Sequence, residues 1–247
     1  MVIHTFETLP STNQYCELLN LSQIEEFAVY WAQAQTSGIG QRGNHWASEP
    51  NKNLTFSLIL KPTFLPVADQ FLLTKVVSIG ITDCLRNILP KHADIRIKWP
   101  NDIYVGNSKI CGILISHCIT GGLLANTIVG IGLNVNQTSF PDWIPNPTSV
   151  KLLTHSELEL LPLLTDLILN IQNRYTQLRD IPNSLDAEYL SQLMQLGVKA
   201  NYIYHEKEIT ATILGVNRFG HLQLITAEGE TLSCQLKEIH LPPNIAQ

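Results

Sequence analysis

Residues 94–135 read DIRIKWPNDIYVGNSKICGILISHCITGGLLANTIVGIGLNV. Their punctuation decides the fold class. Asp94 to Trp99 alternates polar and apolar side chains, the period-two pattern of a strand with one wet face. Pro100-Asn101-Asp102 is a turn, and the strand resumes over Ile103 to Val105. Gly106-Asn107-Ser108 is a hairpin-type turn, Lys109 to His117 runs back, Ile119 to Gly122 reverses the chain again, and Leu123 to Val135 returns. The middle of the chain is therefore expected to be an antiparallel meander. With helices between some of the other strands, the fold class is α+β, with a mixed, largely antiparallel central sheet, rather than a parallel doubly wound sheet.

Upstream, Val2 to Phe6 reads as a short strand. A helix is expected to follow, with Ser11 or Thr12 as its N-cap. Phe27 to Ala34 and Leu54 to Leu60 are apolar enough for buried strands. Between them lies a polar loop with glycines at 38, 40 and 43, which permit positive φ and close approach of backbone to a ligand. Such a loop is costly to order, as suits a segment that closes over a substrate. A helix is expected over residues 67–89, ended by Pro90, and others over 158–179 and 185–196. Pro141 to Pro147 is irregular. From Gly197 the texture changes to five short strands with tight turns, over 198–204, 208–216, 222–225, 231–235 and 238–241. This predicts a small closed barrel of SH3 type and a domain boundary that divides the chain into 1–196 and 197–247.

The chain has 247 residues, 45% of them hydrophobic, and a net charge of −5. It carries no basic stripe of the kind that binds nucleic acid. Its richest apolar run, Leu158 to Ile171, is broken by Glu159, Pro162 and Asp166, so no bilayer span is expected. The N-terminus lacks a signal-peptide pattern. The five cysteines form no CxxC and the eight histidines no HxxxH, so buried free thiols in a reducing cytoplasm are expected, without zinc.

Four islands carry the chemistry. They are Ser11-Thr12-Asn13; Gln35-Thr36-x-Gly38-x-Gly40-Gln41-Arg42-Gly43-x-x-Trp46; Lys98-Trp99-Pro100-Asn101-Asp102-Ile103-Tyr104 followed by Lys109-Ile110-x-Gly112-Ile113-Leu114; and Gly130-Ile131-Gly132-Leu133-Asn134-Val135-Asn136. In this order and spacing they resemble the biotin–protein ligases, from about residue 5 to 241. The resemblance is to the short type without a DNA-binding domain, because the chain begins almost directly at Ser11-Thr12-Asn13. It implies a class II synthetase-like catalytic fold. The implied reaction has two steps: biotin and ATP form biotinyl-5′-AMP, and a lysine of a biotin carboxyl carrier protein domain, usually that of acetyl-CoA carboxylase, then takes the biotinyl group. Magnesium is implied with the ATP, its protein ligands unknown, and the resemblance is compatible with either a monomer or a homodimer.

Residue by residue, the resemblance implies that Lys109 meets the biotin carboxylate and then the acyl-phosphate oxygen. Ser11, Thr12 and Gln35, with Asn13 alongside, would bond the ureido head, and Gly38, Ile39, Gly40 and Gln41 would complete the biotin site. Gly112 would let backbone lie against the ligand. Trp46 would stack near adenine, Asn134 would face the nucleotide and Asn101 the acyl-phosphate. Asp102 is left open between a supporting and an interface role. The loop departs from the common Gly-Arg-Gly-Arg-x-x-Arg: Ile39, Gln41 and Asn44 hold the arginine positions, and Arg42 is the remaining cation. Backbone contacts would survive that change and guanidinium contacts would not. Arg42 is therefore expected to supply catalytic charge and ATP contact, and Ile39 to pack over the biotin rings as a lid. Two other readings are a lipoate or octanoyl ligase or transferase, and a biotin-binding protein that has lost catalysis. The cofactor that raises the melting temperature separates the first, and retention of Lys109, Arg42 and Trp46 opposes the second.

Overall fold

Every residue of the strand Leu54–Leu60 is buried, which requires cover on both of its faces. The computed structural model describes residues 1–181 and 184–241, without the side chain of Arg42. In it this strand, β3, lies inside a seven-stranded sheet, third from one edge. The others are β1 (Ile3–Leu9), β2 (Val29–Gln35), β4 (Ile95–Lys98), β5 (Asp102–Val105), β6 (Ser108–Thr120) and β7 (Leu123–Leu133), in the order β1-β2-β3-β7-β6-β5-β4. All neighbours are antiparallel except β1 and β2, which run parallel. The meander of residues 94–135 thus supplies four of the sheet's seven strands, with the expected strand direction. The last reversal is tighter than expected: β6 continues through Thr120, and Gly121 and Gly122 alone make the turn, both at positive φ.

Leu54, Phe56, Leu58 and Leu60 join the large core with the helix α2 (Phe71–Ile88), which follows a 3-10 turn at Val67–Asp69. The helix α4 (Leu160–Asp180) packs on α2 at Gly80, where a β-carbon would come within 2.8 Å of Ile171 Cα. The other face holds a smaller cluster in which Ile59, Tyr30 and Ile128 meet Cys16 of α1 (Thr12–Glu17). A short helix α3 (Val150–Thr154), capped by Ser149 and absent from the expectations above, links the meander to α4. The last helix, α5 (Ser184–Gln192), leads to the second sheet.

That sheet has five strands, β8 (Lys199–Tyr204), β9 (Lys207–Val216), β10 (Leu222–Thr226), β11 (Thr231–Cys234) and β12 (Ile239–His240), in the order β11-β10-β9-β8-β12. Residues 242–247 of the expected C-terminal unit lie outside the described residues. Tyr202, Ile213, Leu222 and Leu224 belong to the same continuous core as α2 and α5. Polar ties join the sheets as well. Trp99 Nε1 donates to the carbonyl of Gly220 at 2.9 Å, and Arg218 donates twice to the carboxylate of Asp69, at 2.5 and 2.8 Å. No helix among the described residues is long and apolar enough to cross a membrane. The cysteines are free and buried as expected, save Cys118, which is exposed on β6.

Candidate active site

Ser11 caps α1: its hydroxyl accepts from Gln14 N–H, the geometry that Ser and Thr favour just before a helix. Ser11, Thr12 and Asn13 are all buried, an unusual place for three polar side chains unless partners are supplied. The Thr12 N–H donates to Gln35 Oε1 at 2.7 Å, and Asn13 Nδ2 donates to the Leu114 carbonyl at 3.2 Å. Ser57 completes the set, with its hydroxyl 2.9 Å from Thr12 Oγ1 and 2.6 Å from Asn13 Oδ1. A hydroxyl has one proton, and an amide oxygen cannot donate. Ser57 therefore donates to Asn13 and accepts from Thr12. Sequence reading missed Ser57, because one serine in an apolar strand gives no sign of what lies across from it.

The glycine loop folds on itself as a small flap. Trp46 N–H donates to the Gly38 carbonyl (2.8 Å), Ile39 and His45 form a bridge, and Gly40 N–H donates to the Asn44 carbonyl (2.6 Å). A 3-10 turn at Gln41–Gly43, with Gly43 at φ +79, makes the tip. The side chain of Arg42, the expected loop cation, lies outside the described residues. The flap covers a cavity of about 160 Å³ whose walls include Ser11, Thr12, Asn13, Gln35, Ile39, Gln41, Lys109 and Gly112, most of the expected biotin site. Gly38, by contrast, is packed under the Trp46 carbonyl, and its part is to close the flap.

A second cavity, of about 660 Å³, lies beside the first. Asn44, His45, Trp46, Asp102 and Lys109 line both. Tyr104, Asn134 and the segment Phe140, Trp143, Ile144 and Pro147 complete the larger one. That segment looked merely irregular in sequence, since its residues form a wall only once the chain has turned back across β7. The indole of Trp46 lies against Gly112 and Gly132, whose β-carbons would collide with it. Its Nε1 is buried and has no partner among the described residues. Asn134 is held by a 3.0 Å bond from Nδ2 to the Thr148 carbonyl. Asn101 Nδ2 is pinned by the Ile113 carbonyl, at the wall of the smaller cavity.

Lys109 Nζ sits 2.7 Å from Asp102 Oδ1 and 5.5 Å from the Trp46 ring. A bulge between β5 and β6 sets Tyr104 opposite Lys109 and Asp102 opposite Gly112, which aims the lysine back over the aspartate. Lys98, paired across from Asp102, lies with its ammonium 5.0 Å over the Tyr104 ring. Burial lowers the pKa of Lys98, against the upward pull of Asp102, and burial raises the Tyr104 hydroxyl to about 12. Lys98, Asp102 and Lys109 together carry one net positive charge. Asp102 is the single carboxylate among the described residues lining either cavity, and no cluster of three metal-binding side chains occurs among the described residues.

Residues 5–134 match the model of the biotin/lipoate A/B protein ligase family. The chain is 28% identical over 172 residues to the bifunctional ligase/repressor BirA of Bacillus spizizenii, covering 68% of this chain and 52% of the relative. It is 33% identical over 139 residues to BirA of Escherichia coli, covering 56% of this chain and 42% of the relative. The chain thus spans about half the length of these curated relatives. The biotin protein ligase of Aquifex aeolicus, solved in complex with biotin and ATP, superposes with a TM-score of 0.80 at 23% identity over 97% of both chains, so the fold is shared throughout. With more than half its length in the family model and the four islands gathered around two adjoining cavities, the chain belongs to the biotin/lipoate A/B protein ligase family.

Proposed function

We propose that the chain is an ATP-dependent biotin ligase that forms biotinyl-5′-AMP and transfers the biotinyl group to a lysine of a biotin carboxyl carrier domain, such as that of acetyl-CoA carboxylase. One observation carries the reading. Lys109 stands where the two cavities meet, and it is the only lysine or arginine among the described residues lining either. In the first step a carboxylate oxygen bonds to the α-phosphorus and pyrophosphate leaves. Both reactants are anions, so an ammonium between them offsets their repulsion and the charge that develops in transfer. The smaller cavity takes biotin and the larger one the nucleotide. Trp46 and Asn134 line the nucleotide side, and the unpartnered Trp46 Nε1 is a donor available to ligand oxygens.

The family spans biotin and lipoate. The buried Ser11-Thr12-Asn13 group, with half-buried Gln35 beside it, favours biotin, because a ureido head offers two N–H donors and a carbonyl to be matched, whereas a dithiolane offers neither. At about 160 Å³ the cavity is below the usual range for small-molecule sites, so the flap, with Ile39 as its lid, gives way as biotin enters. Magnesium carried by the triphosphate would meet one protein carboxylate, Asp102, and phosphate oxygens and water otherwise, a donor set ordinary for that ion. We read residues 197–241 as a distinct unit of SH3 type, and the cytoplasm, where ATP is present and thiols stay reduced, as the compartment.

Biotin-dependent ATP–pyrophosphate exchange tests the reading. Wild type should exchange and Lys109→Ala should not. Exchange that depends on lipoate or octanoate instead, or stabilisation by biotin without exchange, would replace it with one of the other two readings.

A further inference from the structure

β7 stops pairing with β6 at Leu133, opposite Cys111, two residues short of Lys109. Its chain then leaves the sheet for the wall of the larger cavity and comes back as Pro145-Asn146-Pro147-Thr148. This returning strap fills the place that β7 has vacated. The Lys109 N–H donates to the Asn146 carbonyl at 2.8 Å, and the Thr148 N–H donates to the Lys109 carbonyl at 2.9 Å. Lys109 and Pro147 form a parallel bridge between them. A residue has one backbone donor and one backbone carbonyl, and the strap engages both of those of Lys109. Asn134 ties the strap to the end of β7, its Nδ2 donating to the Thr148 carbonyl at 3.0 Å. The strap is also held in an unfavoured conformation. Asn146 has φ +46, in the left-handed region, although it precedes a proline, a place biased toward extended backbone. Pro145 and Pro147 fix the φ angles on either side of it. Its residue is exposed, so burial of the side chain does not impose that φ; it is the conformation in which the carbonyl meets Lys109.

We propose, resting on the ligase reading above, that Asn146 is a positioning residue for Lys109: its left-handed turn sets where the ammonium stands between Asp102 and the biotin carboxylate. Pro145 and Pro147 line the larger cavity, and Asn146 between them holds the lysine backbone. The wall of that cavity and the anchor of Lys109 are therefore one short piece of chain. The ammonium rides on a flexible stem, and its partner is Asp102 Oδ1, 2.7 Å away. An anchor displaced by about 1 Å leaves the ammonium with Asp102 and out of reach of an incoming carboxylate. The lysine keeps its charge in that event, and the polar group around Ser11, Thr12 and Asn13 is untouched. The loss then falls on the carboxylate of the ligand alone. A neutral analogue with the same head and chain does not feel it.

Biotin and its neutral alcohol biotinol, titrated by calorimetry into the full chain without nucleotide, provide the test. Asn146→Val puts a β-branched residue at the left-handed position, whereas Asn146→Gly accepts that φ and keeps the carbonyl. The valine variant should bind biotin about tenfold more weakly and biotinol less than about twofold more weakly, and the glycine variant should bind both as wild type does. In a Lys109→Ala background Asn146→Val should weaken biotin no further, as expected of a residue that acts through Lys109. Should the valine variant fail to fold, Pro147→Ala loosens the strap without a clash and should give the same pattern, several-fold in size. Equal losses of biotin and biotinol, additive losses with Lys109→Ala, or a glycine variant as weak as the valine one would each overturn the proposal and leave the ligase reading standing. No binding of biotin by wild type, or undiminished binding by Lys109→Ala, would overturn the proposal together with the role of Lys109 on which it rests.

Discussion

Lys109 Nζ and Asp102 Oδ1 are 2.7 Å apart, and each side chain is about a quarter exposed, at 27% and 25%. The lysine proposed to meet the substrate carboxylate is therefore already paired with a carboxylate. On that proposal biotin would have to take it from Asp102, and part of its binding energy would be offset by that exchange. Asp102→Asn removes the competitor. It should tighten biotin several-fold by calorimetry and leave the neutral alcohol biotinol unaffected. Exchange turnover should fall, because the lysine loses the partner that aims it. Equal tightening of biotin and biotinol would rule out competition for charge.

Lys98 lines neither cavity, yet it keeps the Lys98–Asp102–Lys109 group at one net positive charge. Lys98→Met should lower biotin-dependent exchange about tenfold, through kcat more than KM, and Lys98→Arg should restore most of it. Stability should move the other way. Burial depresses the pKa of Lys98, so folding binds its proton less tightly than the unfolded chain does. The charged lysine therefore weakens the fold below that depressed pKa, and stability recovers as pH rises toward the ordinary value of 10.5. The methionine variant should be as stable as wild type or more so near neutral pH, and a clear fall in Tm would show that the stack on Tyr104 outweighs burial.

Gly132 and Gly112 are the floor on which the Trp46 ring rests. Gly132→Ala drives a methyl into the ring and should cost about 1–3 kcal/mol in a denaturant titration, with loss of exchange. Adding Trp46→Ala should restore stability without restoring activity. Failure of the second change to restore stability would place the strain elsewhere.

Ser57 is fully buried and serves Thr12 and Asn13 at once. Ser57→Ala should cost about 1–3 kcal/mol by leaving Thr12 and Asn13 short of a partner, and should raise the Kd for biotin more than the KM for ATP.

The flap separates two roles by chemistry. Arg42 stands in the 3-10 turn at its tip, and Ile39 lines the smaller cavity. Arg42→Ala is expected to weaken adenylation much more than Ile39→Ala, and equal losses would show that the loop acts by shape and not by charge.

Local patterns carried far. Strand β3 occupies the expected residues 54–60, and the meander, the long helices and the five C-terminal strands fall within a few residues of their expected ends. These are elements whose periodicity or turn residues are written in consecutive positions. The parallel pairing of β1 with β2 had no such local trace, because parallel neighbours are chosen by what lies between them in space. The short helix after Ser149 was hidden for a related reason, since five residues are too few to show a period.

The site divides along the same line. Lys109, Trp46, Asn134 and the Ser11-Thr12-Asn13 group were legible as residue types at characteristic spacings, together with the family to which they point. That Asp102 pairs with Lys109, that Ser57 anchors Thr12 and Asn13 and that Trp143 walls the larger cavity were decided only by the tertiary structure. A chain states which side chains it carries and how they alternate locally. Which of them meet across a sheet, and so which charges cancel and which hydroxyls find partners, depends on distances that exist only after the core has closed.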